Sequence, residues 1–430
     1  MVDMPLPGRT TGSKSVIKAR RYDKFNIPGS EFQVNAASGK QEDNSPSGAA
    51  LVDGGYAIAW HDAAAALNYP RILVQRFRAD NSKYGSQLVV AGTGSDNHFR
   101  WAKVAALNDG GYWVTLNRAT SSPKEILGQR FNSANGKVGG LTNMHTTGTL
   151  KNTYDFHNGN DGGYLLATTF QTGTTYGNVK IRRWNPGGGA IISDLSIYST
   201  SPQKSSTRIR QAKDGTLIVS WTDGTNGGVY MLLTPSHTVK ATVSVGATGA
   251  IVNVPLDDGN IVIAWTLNND INARKIDTTG TILQEWTVNT RLPNNQVISS
   301  GTSLADGRLF IAWESYPEGS NGYDIYYASF CLNDTQCWYP TASICETAYN
   351  LPPKCKPCNA DADCSHVPAA TGRCLEGICE LSSYLSLTGP SNITGEEDIT
   401  LQAFINPVEE EHFYIDISFV WSVNHSCIRM

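Results

Sequence analysis

The sequence predicts an all-β protein: a six-bladed β-propeller followed by a disulfide-rich module and part of a β-sandwich. Three observations carry this. An Asp-Gly turn recurs six times between apolar runs. Large and small residues alternate after each turn, as in Tyr56, Ile58 and Trp60 against Ala57 and Ala59. All nine cysteines lie at or beyond Cys331.

The turns come first, because internal repeats decide the fold. They read Asp53-Gly54-Gly55-Tyr56, Asp109-Gly110-Gly111-Tyr112, Asp161-Gly162-Gly163-Tyr164, Asp214-Gly215-Thr216-Leu217, Asp258-Gly259-Asn260-Ile261 and Asp306-Gly307-Arg308-Leu309. Successive aspartates are 56, 52, 53, 44 and 48 residues apart. Asp-Gly between two apolar runs is a strong hairpin signal, since Gly accepts the positive φ of the turn. The strand after the turn often ends in Trp, at Trp60, Trp221, Trp265 and Trp313. A third strand with a basic or aromatic end follows. It is clearest in Ile72 to Phe77 and Ile126 to Phe131, and weaker in Val179 to Trp184, Ile271 to Ile276 and Ile325 to Phe330. A fourth apolar stretch comes after most copies, such as Gly85 to Val90. Four short strands in about 50 residues make one propeller blade, and blades stack because none hides both faces alone.

The two ends of the repeat region depart from the pattern. The last repeat runs into cysteines before a fourth strand. Gly29 to Val34 is expected to supply it and close the ring, removing an exposed edge. An additional third-strand copy, Ile17 to Tyr22, then stands outside six blades. The alternative is a seven-bladed ring, with this copy as the remnant of a seventh blade whose first half lies upstream; on that alternative the chain is a fragment of a longer protein.

Three segments are therefore expected: 15–330, the propeller; 331–380, a cysteine-rich module; and 381–430, an incomplete β-sandwich. Cys331, Cys337, Cys345, Cys355, Cys358, Cys364, Cys374 and Cys379 fall within about 50 residues and read as a disulfide framework, with connectivity open. Cys427 would be half of a further bridge. Sequons stand at Asn333, Asn392 and Asn424. Together with the cysteines they predict a glycosylated, extracellular protein, secreted or the ectodomain of a membrane protein. Met1 to Lys18 shows no apolar signal region, and no run of about 18 apolar residues predicts membrane insertion of this segment. The formal charge of −4, from 34 basic and 38 acidic residues, gives no nucleic-acid footprint.

The Asp-Gly-Gly-Tyr-x-Ile-x-Trp … Gln-Arg-Phe pattern resembles the roughly 50-residue repeats of FG-GAP or Kelch-type propellers, in the loose sense. Cys355-Lys-Pro-Cys358, Asp361-Ala-Asp-Cys364 and Cys374 to Cys379 resemble EGF-like modules. Leu385 to Pro390, Asp398 to Leu401 and Phe419 to Ser422 resemble the opening of a receptor-for-egg-jelly (REJ) or PKD-like sandwich. These resemblances imply a surface protein and carry over no functional residue.

Each candidate site has a plainer role. The six turn aspartates could ligate metal, but Asx-turn formation accounts for them, and Ca²⁺ needs oxygens converging on one point. Trp60, Trp221, Trp265 and Trp313 could stack on sugar, but inter-blade packing is expected. Arg76, Arg130, Arg183 and Arg274 read as a shared register of solvated edge-strand charge. Asp361 and Asp363 make a weak Ca²⁺ signal, and Cys355 with Cys358 reads as structural, not redox-active or zinc-binding. There is no Gly-x-Ser-x-Gly elbow, His-Glu-x-x-His or phosphate loop, and no Ser-x-Asp box of the sialidase type.

The resulting expectation is a non-catalytic binding or adhesion module, without cofactor or metal, whose loops recognise a protein or glycan. The alternatives are a propeller polysaccharide hydrolase or lyase, and a purely structural spacer. A charged axial pocket would favour the enzyme; an axis of small apolar residues would count against it.

Overall fold

The computed structural model describes residues 6–9, 17–21, 29–35, 43–62, 71–92, 99–118, 124–147, 153–172, 175–199, 204–224, 227–247, 249–289, 295–304, 307–315, 324–332, 337, 344–346, 353–365, 370–375, 378–381, 385–388 and 402–405. The chain is an all-β, six-bladed propeller with a disulfide-rich C-terminal region. It divides into two compact units. One holds 1–332 with 347–353; the other holds 333–346 with 354–430.

Each blade is an antiparallel meander in sequence order, innermost strand first. The innermost strands are Asp43–Ala50, Phe99–Ala106, Tyr154–Asn158, Lys204–Gln211, Ile251–Pro255 and Gln296–Ser303, in blades 1 to 6. They neighbour one another in succession. In blades 1 to 5 each innermost strand runs into its Asp-Gly turn, so these turns share one face. Blades 1 to 5 have four strands and blade 6 has three among the described residues.

The alternation read from sequence becomes the packing between blades. Tyr56, Ile58 and Trp60 are fully buried against Ile17, Ala19 and Val34 of an N-terminal sheet. Ala57 and Ala59 face blade 2, where Val104, Val114 and Leu116 fill the space. Trp221, Trp265 and Trp313 likewise sit in inter-blade cores. They are core residues and not a sugar platform.

The N-terminal segment departs from the expected closure. Phe32–Gln33 pairs with Ile17–Arg20, through Lys18↔Gln33 and Ala19↔Phe32, and not with the last strand of blade 6. Leu6–Arg9 pairs with the other edge of Ile17–Arg20. The reason is local. Gly29 N–H donates to the Arg21 carbonyl (2.8 Å) and Val34 N–H to the Ile17 carbonyl (2.9 Å). A nearby partner costs less loop entropy than a distant one.

In the second unit, Ile344–Glu346 pairs with Lys354–Lys356, and Ala370–Leu375 with Ile378–Leu381. Disulfides join Cys337 to Cys355 and Cys358 to Cys374. Cys331, Cys345 and Cys364 are also disulfide-bonded. Asn333, Asn392, Asn424 and Cys427, and the Phe419 to Ser422 segment, lie outside the described residues. No helix among the described residues is long and apolar enough to cross a membrane.

Candidate functional site

Aligning the blades on their turn aspartates exposes one position. Six residues upstream, on the innermost strand, stand Ser47, Lys103, Asp155, Arg208, Val252 and Ser300. Four residues upstream stand Ala49, Ala105, His157, Arg210, Val254 and Thr302. Blades 2, 3 and 4 therefore bring Lys103, Asp155, His157, Arg208 and Arg210 to equivalent levels beside the axis.

The ordinary task of the first position is visible in blade 1. The Ser47 hydroxyl accepts the Val104 N–H of the next innermost strand at 3.2 Å. Asp155 does the same one interface further on, accepting the Ile209 N–H at 3.0 Å. Its Oδ2 also accepts from Arg210 Nη1 at 2.5 Å. Lys103 and Arg208 occupy the same position but carry only donors, so neither can perform that capping role. Their charge needs another explanation.

Local backbone prepares both residues. Pairing of the two innermost strands shifts between Arg100 and Lys103, and between Ser205 and Arg208. Such bulges re-aim the following side chain. Each contains a non-glycine residue in the left-handed region, Trp101 at φ 51° and Ser206 at φ 54°, where L-residues are strained. The Tyr154 hydroxyl donates to the Trp101 carbonyl at 2.5 Å and holds the first bulge.

The electrostatics are unusual. Burial, with Arg208 and Arg210 nearby, pulls the Lys103 ammonium down to about 8. Burial next to Arg210 pushes His157 down to about 3, so its imidazole is neutral. Burial alone would raise Asp155, but Arg210, Arg208, Lys103 and the Ile209 N–H hold it well below the carboxylate range. Asp155 is buried, whereas Lys103, His157, Arg208 and Arg210 are half-buried. Three cations thus face one anion. Such a site suits a carboxylate or sulfate, and it holds an amine that titrates near neutral pH.

The residues singled out from sequence lie elsewhere. In the five described turns the aspartate Oδ1 accepts the N–H two residues on, at Gly55, Gly111, Gly163, Thr216 and Asn260. These are Asx turns. Asp306 is outside the described residues. Arg76, Arg130 and Arg183 are not on edge strands and are not unpaired. They sit on third strands and pair with Asp53, Asp109 and Asp161 at 2.6, 2.5 and 2.9 Å. Arg274 is out of that register. It pairs with Glu285 at 2.7 Å, while its neighbour Lys275 takes the turn Asp258 at 2.8 Å. Asp363 accepts the Asn359 and Ala360 N–H groups, and Asp361 that of Cys374.

No family model matches the chain, so the FG-GAP, Kelch, EGF-like and REJ or PKD-like resemblances gain no support from one. No curated protein matches it either. Solved structures do. The polysaccharide lyase Uly1 superposes with a TM-score of 0.50 at 11% identity, over 76% of this chain and 88% of that one. An ulvan lyase of polysaccharide lyase family PL25, bound to -[GlcA(1-4)Rha3S]-, gives 0.51 at 9%, over 81% and 91%. A protein of unknown function from Dyadobacter fermentans DSM 18053 gives 0.49 at 10%, over 67% and 94%.

The expectation of a non-catalytic chain is corrected here. Both lyases are enzymes built on this architecture. The serine-elbow, zinc-helix and phosphate-loop motifs sought in the sequence represent only three of many catalytic constellations. At these identities the likeness concerns the fold alone: the chain is a β-propeller, an architecture these lyases share.

Proposed function

We propose that the propeller is a lyase acting on an acidic polysaccharide, with Lys103, Asp155, His157, Arg208 and Arg210 as its chemical centre. The observation that carries this reading is the cation-rich cluster at equivalent positions on three successive innermost strands. A lyase removes the proton α to a uronate carboxylate and expels the oxygen at the β carbon. Arg208 and Arg210 neutralise the carboxylate, which makes that proton more acidic. The Lys103 amine takes it. The electron pair of the broken C–H bond forms the C=C bond, and the glycosidic oxygen departs with the proton that the Lys103 ammonium returns. Asp155 holds Arg210 in place, and neutral His157 offers a hydrogen bond to a sugar hydroxyl.

The cluster favours elimination over hydrolysis. It contains one carboxylate, already committed to Arg210 and Ile209, whereas glycoside hydrolysis ordinarily needs two. The ulvan lyase holding a glucuronate-containing chain supports the substrate class. The disulfides of the second unit support an oxidising, extracellular setting, in which the cysteine-rich segment serves as a covalently fastened spacer.

The test uses the full chain with pectate, alginate, ulvan, hyaluronan and chondroitin sulfate, reading the ultraviolet absorbance of the unsaturated uronate product. One or more is expected to be cleaved, and Lys103→Ala or Arg208→Ala to lower kcat/KM about 100-fold or more. Absence of product from all five polymers, or a Lys103→Ala variant as active as the parent, overturns the reading.

A further inference from the structure

A second site lies on the Asp-Gly face, between blades 2 and 3, where a cavity of about 420 Å³ opens. Trp113, Tyr164, Arg130, Asp109, Asp161 and Gly188 are among its walls. Two features coincide there: a residue no other blade carries at its position, and a glycine corner beside a tyrosine, where blade 5 has its corner glycine, Gly280, with Ile261 in place of the tyrosine.

The first is Trp113. Four residues after the turn aspartate the other blades carry Ala57, Leu165, Ile218, Val262 and Phe310. Blade 2 carries an indole, and Gly128 on the next strand makes room for it. A Cβ on Gly128 would lie 3.1 Å from Trp113 Cε3 and 2.7 Å from Met144 Cε.

The second is Gly188. In blade 1 the Tyr56 hydroxyl donates to Asn81 Oδ1 at 2.9 Å, and in blade 2 Tyr112 donates to Asn135 Oδ1 at 2.5 Å. Both asparagines sit in the left-handed corner of the same turn, at φ 68° and 67°. Blade 3 keeps the tyrosine, Tyr164, and the turn, closed by Asn185 and Gly189. At the corner, however, it has Gly188, at φ 86°. The missing amide side chain leaves space at the Tyr164 hydroxyl, 3.3 Å from where a Cβ would stand. Neither that hydroxyl nor the Trp113 indole N–H has a hydrogen-bond partner among the described residues.

We propose that this cavity binds a neutral pyranose unit, with the Tyr164 hydroxyl and Trp113 indole donating to ring or hydroxyl oxygens. Arg130 adds a third donor. Asp109 and Asp161 accept sugar hydroxyls through lone pairs their turns and arginines leave open. The Trp113 and Tyr164 rings, 5.6 Å apart, give an apolar wall for the C–H groups of the sugar. A mostly apolar pocket with a few convergent polar groups is the usual form of a small-ligand site. The carboxylates are balanced by Arg130 and Arg183, which favours a neutral ligand over a cation. The site is independent of the axial cluster.

The experiment titrates the full chain with glucose, galactose, mannose, xylose, rhamnose and fucose, by calorimetry and ligand-observed NMR. At least one is expected to bind. Gly188→Asn, which restores the side chain blades 1 and 2 carry at that corner, is expected to abolish binding without lowering Tm. Tyr164→Phe should weaken it about 5- to 10-fold, and Lys103→Met should leave it unchanged. Failure of every sugar to bind, or a Gly188→Asn variant that binds as well as the parent, overturns the proposal. Neither result depends on lyase activity.

Discussion

Lys103→Met is expected to stabilise the propeller while removing its proposed base. The fall of the ammonium from its ordinary 10.5 to about 8 corresponds to roughly 3 kcal/mol held against the charged form. The amine is half-buried and keeps some water, so about 1–2 kcal/mol is the working figure. Methionine matches the length of the lysine stem and needs no hydration. The native state gives up the Lys103 proton at about 8, whereas the unfolded chain keeps it to about 10.5. Between these values the unfolded state binds more protons, so the parent gains stability as pH rises. The assay is the Tm difference between variant and parent across this range. The variant should melt about 2–4 °C higher at pH 7, and the gap should close as pH approaches about 10. A variant that melts lower at pH 7, or a gap that ignores pH, refutes the argument. The first result would make Lys103 a packing residue, and the second would mean its charge is not penalised.

Two further predictions concern the blades themselves. Asp53→Ala leaves the Arg76 guanidinium, whose side chain is only 2% exposed, without its carboxylate, and should cost about 2–4 kcal/mol. Asp109→Ala strands an Arg130 that is 36% exposed and should cost about 1 kcal/mol or less; chemical denaturation of the pair checks the order. Gly55→Ala places a methyl 2.4 Å from the Phe77 carbonyl oxygen and should cost about 2–3 kcal/mol. Gly140→Ala, with nothing within 4 Å, should stay within about 0.5 kcal/mol of the parent.

The blades were legible because their signals are local. Asp-Gly marks the turn, and Tyr56, Ile58 and Trp60 mark one strand face without reference to distant residues. Arg274 was misplaced because the Gln-Arg-Phe pattern fades in blade 5, leaving two adjacent cations and only strand pairing to choose between them. By sequence a short apolar strand such as Gly29 to Val34 fits either of two edges; the Gly29–Arg21 and Val34–Ile17 hydrogen bonds, with the Lys18↔Gln33 and Ala19↔Phe32 pairs, select one. The axial cluster was readable in principle: counting back from each turn aspartate finds Lys103, Asp155 and Arg208 at one offset. The bulges at Trp101 and Ser206 hid it, since an inserted residue breaks the alternation that identifies a strand face.

The Asp–cation fastenings of blades 1, 2, 3 and 5 each close within a single blade, whereas the axial charges are shared among three. A repeat copied or exchanged between relatives therefore brings its own clasp with it. Its chemistry does not travel in the same way, because Lys103, Asp155 and Arg210 have meaning only side by side. Over evolutionary time such a ring can change its reaction by altering a few residues of its inner lining, and leave untouched the fittings that keep each segment whole.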